Sequence, residues 1–207
     1  MSSNEIRTKA VVMRTASMGE SAKAAVCFTR ELGRISVAAA GAKKITGKFG
    51  GATQIFALSN MRIVKGRGNM YTLVGAEVID SFYNITADYD VYNTACNITM
   101  KIMNVIQEEL EDTELFDLYV FTLALLNKNI KKHDFIETVF YVKMLEISGW
   151  APELEELNDK GYKHATLRAI EYILENEIDK IYCFTVSDDI LTELKKISDS
   201  LLNRFLN

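Results

Sequence analysis

Residues that could cross-link this chain or bind a metal are scarce. Its 207 residues include three cysteines, Cys27, Cys96 and Cys183, which lie far apart and form no Cys-x-x-Cys pair. This odd number and spacing argue against a disulfide framework and against a zinc knuckle. The two histidines, His133 and His164, have no second ligand at metal spacing. We therefore expect reduced, mostly buried thiols, solvated histidines and no cofactor.

The chain also lacks an export signal and a membrane-spanning run. Met1–Arg14 contains no apolar core followed by a cleavage site. The most apolar helical run, Leu115–Leu126, is too short to cross a bilayer and contains Asp117. We expect a cytoplasmic globular protein with no membrane partner.

Catalytic and nucleotide-binding motifs are missing as well. In Gly41–Lys48, five residues separate the two glycines, where a phosphate-binding loop has four, and Phe49 replaces its hydroxyl residue. Gly66–Gly68 lacks the third glycine of a dinucleotide fingerprint, since Tyr71 holds that position. No serine or cysteine lies in a recognisable nucleophile elbow. These absences indicate a protein that is not an enzyme.

What is present is a strong charge asymmetry. Residues 1–80 contain 12 Lys and Arg against 5 Asp and Glu, a balance of +7, whereas residues 81–207 have a balance of −11. Such a division indicates an anion-binding module joined to a module with a different task.

Hydrophobic periodicity divides the chain at the same point. Five β-type runs, at 7–15, 23–30, 34–40, 53–64 and 70–79, predict a small closed barrel over residues 1–80. The five-stranded OB-fold is the expected type, and an SH3-like barrel is the alternative. Helical runs at 87–107, 113–126, 133–150, 164–176 and 187–206 predict an all-α domain over residues 81–207. The predicted fold class is therefore α+β, with two domains.

A basic, glycine-rich stretch lies in the middle of the barrel region. Gly41–Gly51 carries Lys43, Lys44 and Lys48 among four glycines, which allow the backbone to approach a ligand closely. A phosphate backbone is one partner that fits this stretch. A solvated hairpin loop is the alternative.

Several short blocks together resemble the bacterial recombination mediator RecO family. In the first half these blocks are Gly19–Ser21, Phe28–Arg34, Gly41–Lys44, Phe49–Gly51, Gly66–Gly68 and Glu77–Phe82. In the second half, Gly149–Leu154 is similar to the family's Gly-aromatic-Ala-Pro-x-Leu stop after its long helix. Many members insert a four-cysteine zinc knuckle after that stop, but here Asn158–Tyr162 leads almost directly into the next helix. Ala22 replaces a common aspartate, which is a minor departure.

The resemblance implies a DNA-binding mediator of repair. Such proteins bind single- and double-stranded DNA through the OB domain and anneal strands. They contact RecR and the C-terminal tail of single-strand-binding protein, and they help load RecA, which implies a nucleoid-associated location. On this basis the candidate DNA-binding residues are Arg14, Lys23, Arg30, Arg34, Lys43, Lys44, Lys48, Arg62, Lys65 and Arg67. A non-catalytic adaptor and an RNA-binding barrel protein are the alternatives.

One cationic cluster in the acidic half is a candidate partner site. Lys128, Lys131 and Lys132 lie between two apolar helices, with Phe135 one turn further on. These residues could steer an acidic tail and hold its aromatic end. Three solvated lysines on an interhelical turn are the alternative.

Overall fold

The computed structural model describes residues 5–44, 47–66 and 68–206 and divides into two compact units. The barrel unit comprises the chain up to Tyr83 together with Val105–Phe116. The helical unit comprises Asn84–Asn104 and the chain from Asp117 onward. None of the helices in the described part of the chain is long and apolar enough to cross a membrane.

The barrel unit is a closed five-stranded OB-fold, as predicted. Its strands are β1 (Glu5–Met18), β2 (Ala22–Thr29), β3 (Gly33–Ala39), β4 (Leu58–Lys65) and β5 (Met70–Asp80). They close in the order β1-β2-β3-β5-β4, with β3 and β5 parallel and the other pairs antiparallel. Alternate residues of each strand point inward, because successive strand side chains face opposite sides. The core they form includes Val12, Cys27, Ile35, Met61 and Leu73.

The fourth strand begins later than residue 53, where the sequence predicted it. Gly51–Thr53 forms a 3₁₀ turn, in which the Thr53 hydroxyl donates to the Phe49 carbonyl at 2.8 Å. Phe56 then has a φ of +67°, a left-handed conformation that interrupts an extended strand. The prediction was wrong at this end because β-branched composition says nothing about such a turn.

Residues 107–109, which follow the first long helix, form backbone hydrogen bonds with β3. The predicted helix 87–107 stops at Met103, and the following residues turn towards the barrel. The Arg34 amide donates to the Gln107 carbonyl at 3.0 Å, and the Glu109 amide donates to the Arg34 carbonyl at 3.4 Å. A Cβ on Gly33 would lie 2.1 Å from the Leu110 carbonyl oxygen. A glycine is therefore required here for the two backbones to approach.

The remaining elements are helices. They are α1 (Tyr83–Ala87), α2 (Tyr89–Met103), α3 (Thr113–Lys128), α4 (His133–Ile147), α5 (Leu154–Asp159), α6 (His164–Glu175) and α7 (Asp188–Phe205). Helix α4 packs against α2, α6 and α7, so Ile136, Val139 and Phe140 are fully buried. Two short helices, α1 and α5, were not predicted, since five or six residues carry too little periodicity.

Candidate nucleic-acid interface

Three candidate DNA-binding residues, Lys23, Lys43 and Lys44, lie at or next to the tip of the β1–β2 hairpin, and Arg14 lies further along β1, opposite Val26. Lys43 Nζ donates to the Gly19 carbonyl at 2.7 Å, and its amide donates to the Ser21 carbonyl at 3.1 Å. Lys23 pairs with Ser17 on one side and with Ala39 on the other. The hairpin tip is therefore defined by Lys23, Lys43 and Lys44. In OB-folds the β1–β2 loop is one of the segments that bind oligonucleotides.

A basic cleft of about 640 Å³ opens on the barrel unit beside β1, β4 and β5. Its lining contains four cations, which are Arg7, Lys9, Lys48 and Arg62. Two carboxylates, Glu31 and Glu77, and the polar Asn60 lie among them. Phe49 is the aromatic residue of the lining, and part of its ring packs on the barrel core.

Neighbouring side chains orient the cations of the basic cleft. The Arg62 guanidinium lies across Gly75, where an added Cβ would meet its Nε at 2.4 Å. Glu5 lies 3.5 Å from Arg62 and 3.8 Å from Arg7. Lys9 and Lys48 are exposed and have no ion pair within the described residues. Because those two ammonium groups are uncommitted, an incoming phosphate can take them without breaking an existing pair.

A third group of cations lines a pocket beside the β4–β5 connection, which we call the turn pocket. This cavity of about 380 Å³ is lined by Arg34, Ile35, Ser36, Lys65, Asn69, Tyr71, Glu108 and Glu109. Its cations are occupied by carboxylates, since Glu109 lies 3.1 Å from Lys65 and Glu108 lies 3.4 Å from Arg34. The Tyr71 hydroxyl donates to Glu109 at 2.8 Å. Hydrogen bonds from Tyr71 and Lys65 lower the pKa of Glu109, and that carboxylate raises the pKa of Lys65.

The structure thus sorts the ten predicted residues into separate groups. Lys23, Lys43 and Lys44 form the hairpin tip, and Arg14 lies further along β1, opposite Val26. Lys48 and Arg62 line the basic cleft, and Arg34 and Lys65 line the turn pocket. The amide of Arg30 donates to the Lys9 carbonyl at 3.0 Å, which places Arg30 next to the basic cleft. Arg67 lies outside the described residues.

Sequence reasoning missed two cations of the basic cleft, Arg7 and Lys9. Both lie on β1, and both are exposed next to inward-facing, mostly buried neighbours. The alternation of the first predicted strand carried that signal, since residues two apart share a face.

The predicted partner residues in the helical unit already make internal contacts. Lys131 lies 5.3 Å above the Phe135 ring and donates to the Phe184 carbonyl at 3.3 Å. Lys132 pairs with Asp188 at 2.5 Å. Phe135 is buried, whereas Lys128 is exposed.

An apolar groove lies next to this cluster. It has a volume of about 420 Å³ and is lined by Ala165, Arg168, Ala169, Tyr172, Phe184, Thr185, Val186, Ser187 and Ile190. Phe184 lies between the cationic cluster and the groove. Its ring packs on Phe135 of the cluster and on Tyr172 of the groove, each at 5.1 Å. Arg168 is the cation of the groove lining. Within the described residues no group of three or more His, Cys, Asp or Glu could hold a metal ion.

The fold and site define an OB-barrel protein with a helical domain and cations gathered on the barrel. The family model for the N-terminal part of recombination protein O matches residues 1–82. The model for its C-terminal part matches residues 87–158. This chain therefore belongs to the RecO family of DNA repair proteins.

Two relatives agree with that assignment. The DNA repair protein RecO of Acetivibrio thermocellus is 25% identical, with 98% of this chain and 92% of the relative covered. The DNA repair protein RecO of Bacillus pumilus is 31% identical, with 84% and 69% covered.

Proposed function

We propose that this protein is a non-catalytic recombination mediator that binds DNA through residues 1–80. In this role it anneals complementary single strands and, together with RecR, helps load RecA on strands coated by single-strand-binding protein. The observation that carries the proposal is the basic cleft, in which Lys9 and Lys48 form no ion pair with any carboxylate of the described residues. Contacts from lysine and arginine to phosphate are independent of base sequence, as annealing of arbitrary strands requires.

The arrangement of the cations suits annealing for an electrostatic reason. Two strands repel each other through their phosphates, and cations that neutralise both backbones reduce this repulsion. The hairpin tip and the basic cleft supply two separate groups of cations on one barrel unit. Each group of cations can bind the phosphate backbone of one strand, which leaves the base edges of both strands free to pair.

A salt titration of DNA binding tests the proposal. If about four phosphates are neutralised, log K on single strands should fall against log salt with a slope near −3. The variant Lys9→Ala/Lys48→Ala should make that slope shallower by about 1.4, since two counterions fewer are released. The matched control, Lys101→Ala/Lys196→Ala, removes the same charge from exposed or half-exposed helix positions and should leave the slope unchanged.

Four results would contradict this assignment. A flat salt dependence would remove the electrostatic interface. Equal effects of the two double variants would show that only net charge matters. Absence of DNA binding would favour an adaptor, and tighter binding to RNA than to DNA of the same sequence would favour an RNA-binding barrel.

For the tail of single-strand-binding protein, we propose the cluster of Lys128, Lys131, Lys132 and Phe135 with the adjoining apolar groove. An acidic peptide that ends in an aromatic residue needs cations beside an apolar surface. The Phe184 ring joins those two features here. Lys131→Glu/Lys132→Glu should weaken binding of such a peptide ten-fold or more, about 1.4 kcal/mol.

Charge reversal also breaks the internal pair between Lys132 and Asp188, so the fold of this variant must be checked by circular dichroism. Lys101→Glu/Lys196→Glu is the control, because it reverses two charges elsewhere in the helical unit. Unchanged peptide affinity in a folded Lys131→Glu/Lys132→Glu protein would place the tail site elsewhere.

A further inference from the structure

The acidic segment Glu108–Asp112 is docked on the barrel by its backbone. Gln107 and Glu109 exchange hydrogen bonds with Arg34 of β3. The Leu110 carbonyl sits where a Cβ on Gly33 would be, which leaves no room for any other residue at position 33. The backbone of the acidic segment is therefore held next to β3 by hydrogen bonds that involve no carboxylate.

This docking places two carboxylates on cations of the turn pocket. Glu108 faces Arg34, and Glu109 accepts hydrogen bonds from both Lys65 and Tyr71. Glu109 has a φ of +53°, an uncommon left-handed conformation for a residue with a side chain. In this conformation the Glu109 carboxylate meets two donors at once.

Without those carboxylates, the turn pocket has the chemistry of a phosphate site. The Arg34 guanidinium and the Lys65 ammonium bind phosphate oxygens as readily as carboxylate oxygens. The Tyr71 hydroxyl, which now donates to Glu109, and the lining residues Ser36 and Asn69 can donate to the same group. The pocket lies at the β4–β5 loop, a segment by which OB-folds bind oligonucleotides.

The pairs that occupy the pocket are exchangeable. In both, each side chain is about a third or more exposed, with 31% and 64% for Arg34 and Glu108 and 55% and 47% for Lys65 and Glu109. Ion pairs at such exposure contribute little to stability, because water screens both charges. Phosphates can therefore displace the two carboxylates by side-chain rotation while the backbone of the acidic segment stays in place.

We propose that the turn pocket is a phosphate-binding site for the DNA backbone and that Glu108 and Glu109 regulate it as an intramolecular competing anion. This inference rests on the proposed DNA-binding function. A strand must displace both carboxylates before it reaches Arg34 and Lys65. The acidic segment thus lowers the affinity for DNA and the number of cations that DNA contacts.

The test uses the full chain and a fluorescent single-stranded oligonucleotide. Glu108→Gln/Glu109→Gln keeps side-chain size and the backbone hydrogen bonds but removes both competing charges. Its affinity should rise at least three-fold at low salt, and its log–log salt slope should steepen by up to about 1.4, for two additional phosphate contacts. The gain in affinity should disappear at high salt, where the charges of the parent and of the variant are both screened.

A matched control separates competition from net charge. Glu111→Gln/Glu114→Gln makes the same charge change at exposed carboxylates of the barrel unit that contact no cation among the described residues. It should leave affinity and slope near those of the parent. In an Arg34→Ala/Lys65→Ala background, Glu108→Gln/Glu109→Gln should no longer raise affinity, since the freed cations are absent.

The outcomes distinguish this inference from the proposed function. If the parent binds DNA with a steep salt dependence and Glu108→Gln/Glu109→Gln binds no better, the competition is refuted and the basic cleft stands. Equal gains in the control refute it in the same way. If neither protein binds DNA, the function and the competition fall together. Unchanged hydrogen exchange at the Arg34 amide would show that the acidic segment stayed docked.

Discussion

A buried hydrogen bond between Tyr182 and Thr122 offers a quantitative test of the helical unit. The two hydroxyl oxygens lie 2.7 Å apart, and both residues are buried. Thr122 already donates its only proton to the Leu118 carbonyl at 2.8 Å, so Tyr182 must be the donor of the pair. Burial raises the pKa of Tyr182, which keeps this donor protonated at all ordinary pH values.

This geometry predicts unequal costs for removing either partner. Tyr182→Phe removes the donor but leaves Thr122 bonded to Leu118, at a cost of about 0.5–1.5 kcal/mol. Thr122→Val keeps the side-chain shape but leaves the buried Tyr182 hydroxyl without an acceptor, which should lower the free energy of unfolding by about 1–3 kcal/mol. The double variant removes both polar groups, so it should be more stable than Thr122→Val alone.

Urea unfolding followed by tryptophan fluorescence measures these differences. The single tryptophan, Trp150, lies in the helical unit and packs on Phe205 at 5.4 Å, so it reports that unit selectively. Tyr89→Phe, at an 80% exposed tyrosine, is the control and should change stability by less than about 0.5 kcal/mol. The reasoning is refuted if Thr122→Val costs no more than Tyr182→Phe, or if the double variant shows additive costs.

Three further predictions concern backbone, thiols and acid stability. Gly33→Ala should destabilise the barrel unit by at least about 1–2 kcal/mol by hydrogen exchange, since it puts a side chain at positive φ against a carbonyl; wild-type protection would contradict this. Burial raises the pKa of Cys27 to about 12, so mass spectrometry after alkylation at pH 8 should find Cys183 modified and Cys27 modified only after denaturation. Lys163 holds the pKa of Asp189 at about 2, below its ordinary value of 3.8. The pKa of Asp189 is lower in the folded than in the unfolded protein, so its ion pair stabilises the fold. This stabilisation is present above about pH 4 and is lost towards pH 2. Asp189→Asn should therefore lower the melting temperature at neutral pH but not at pH 2.

The sequence was sufficient to predict five strands and the five long helices. Strand alternation depends only on neighbouring residues, so the five strands and the barrel were predictable, although the SH3-like alternative stayed open. The spacing of apolar residues likewise predicted the five long helices. These signals are local, and a β-strand or an amphipathic helix keeps its period regardless of what it packs against.

Contacts between distant residues were decided only by the tertiary structure. Helix α2 stops at Met103, and Gln107 and Glu109 then pair with Arg34 of β3, more than seventy residues earlier in the chain. The same docking brings Glu109 to Lys65. This lysine, which the sequence predicted as a DNA contact, therefore forms an ion pair within the protein. Charge pairing depends on distance in space, and sequence composition contains no such distance. The sequence thus determined which residues are cations, and the fold determined which of them are available to a phosphate.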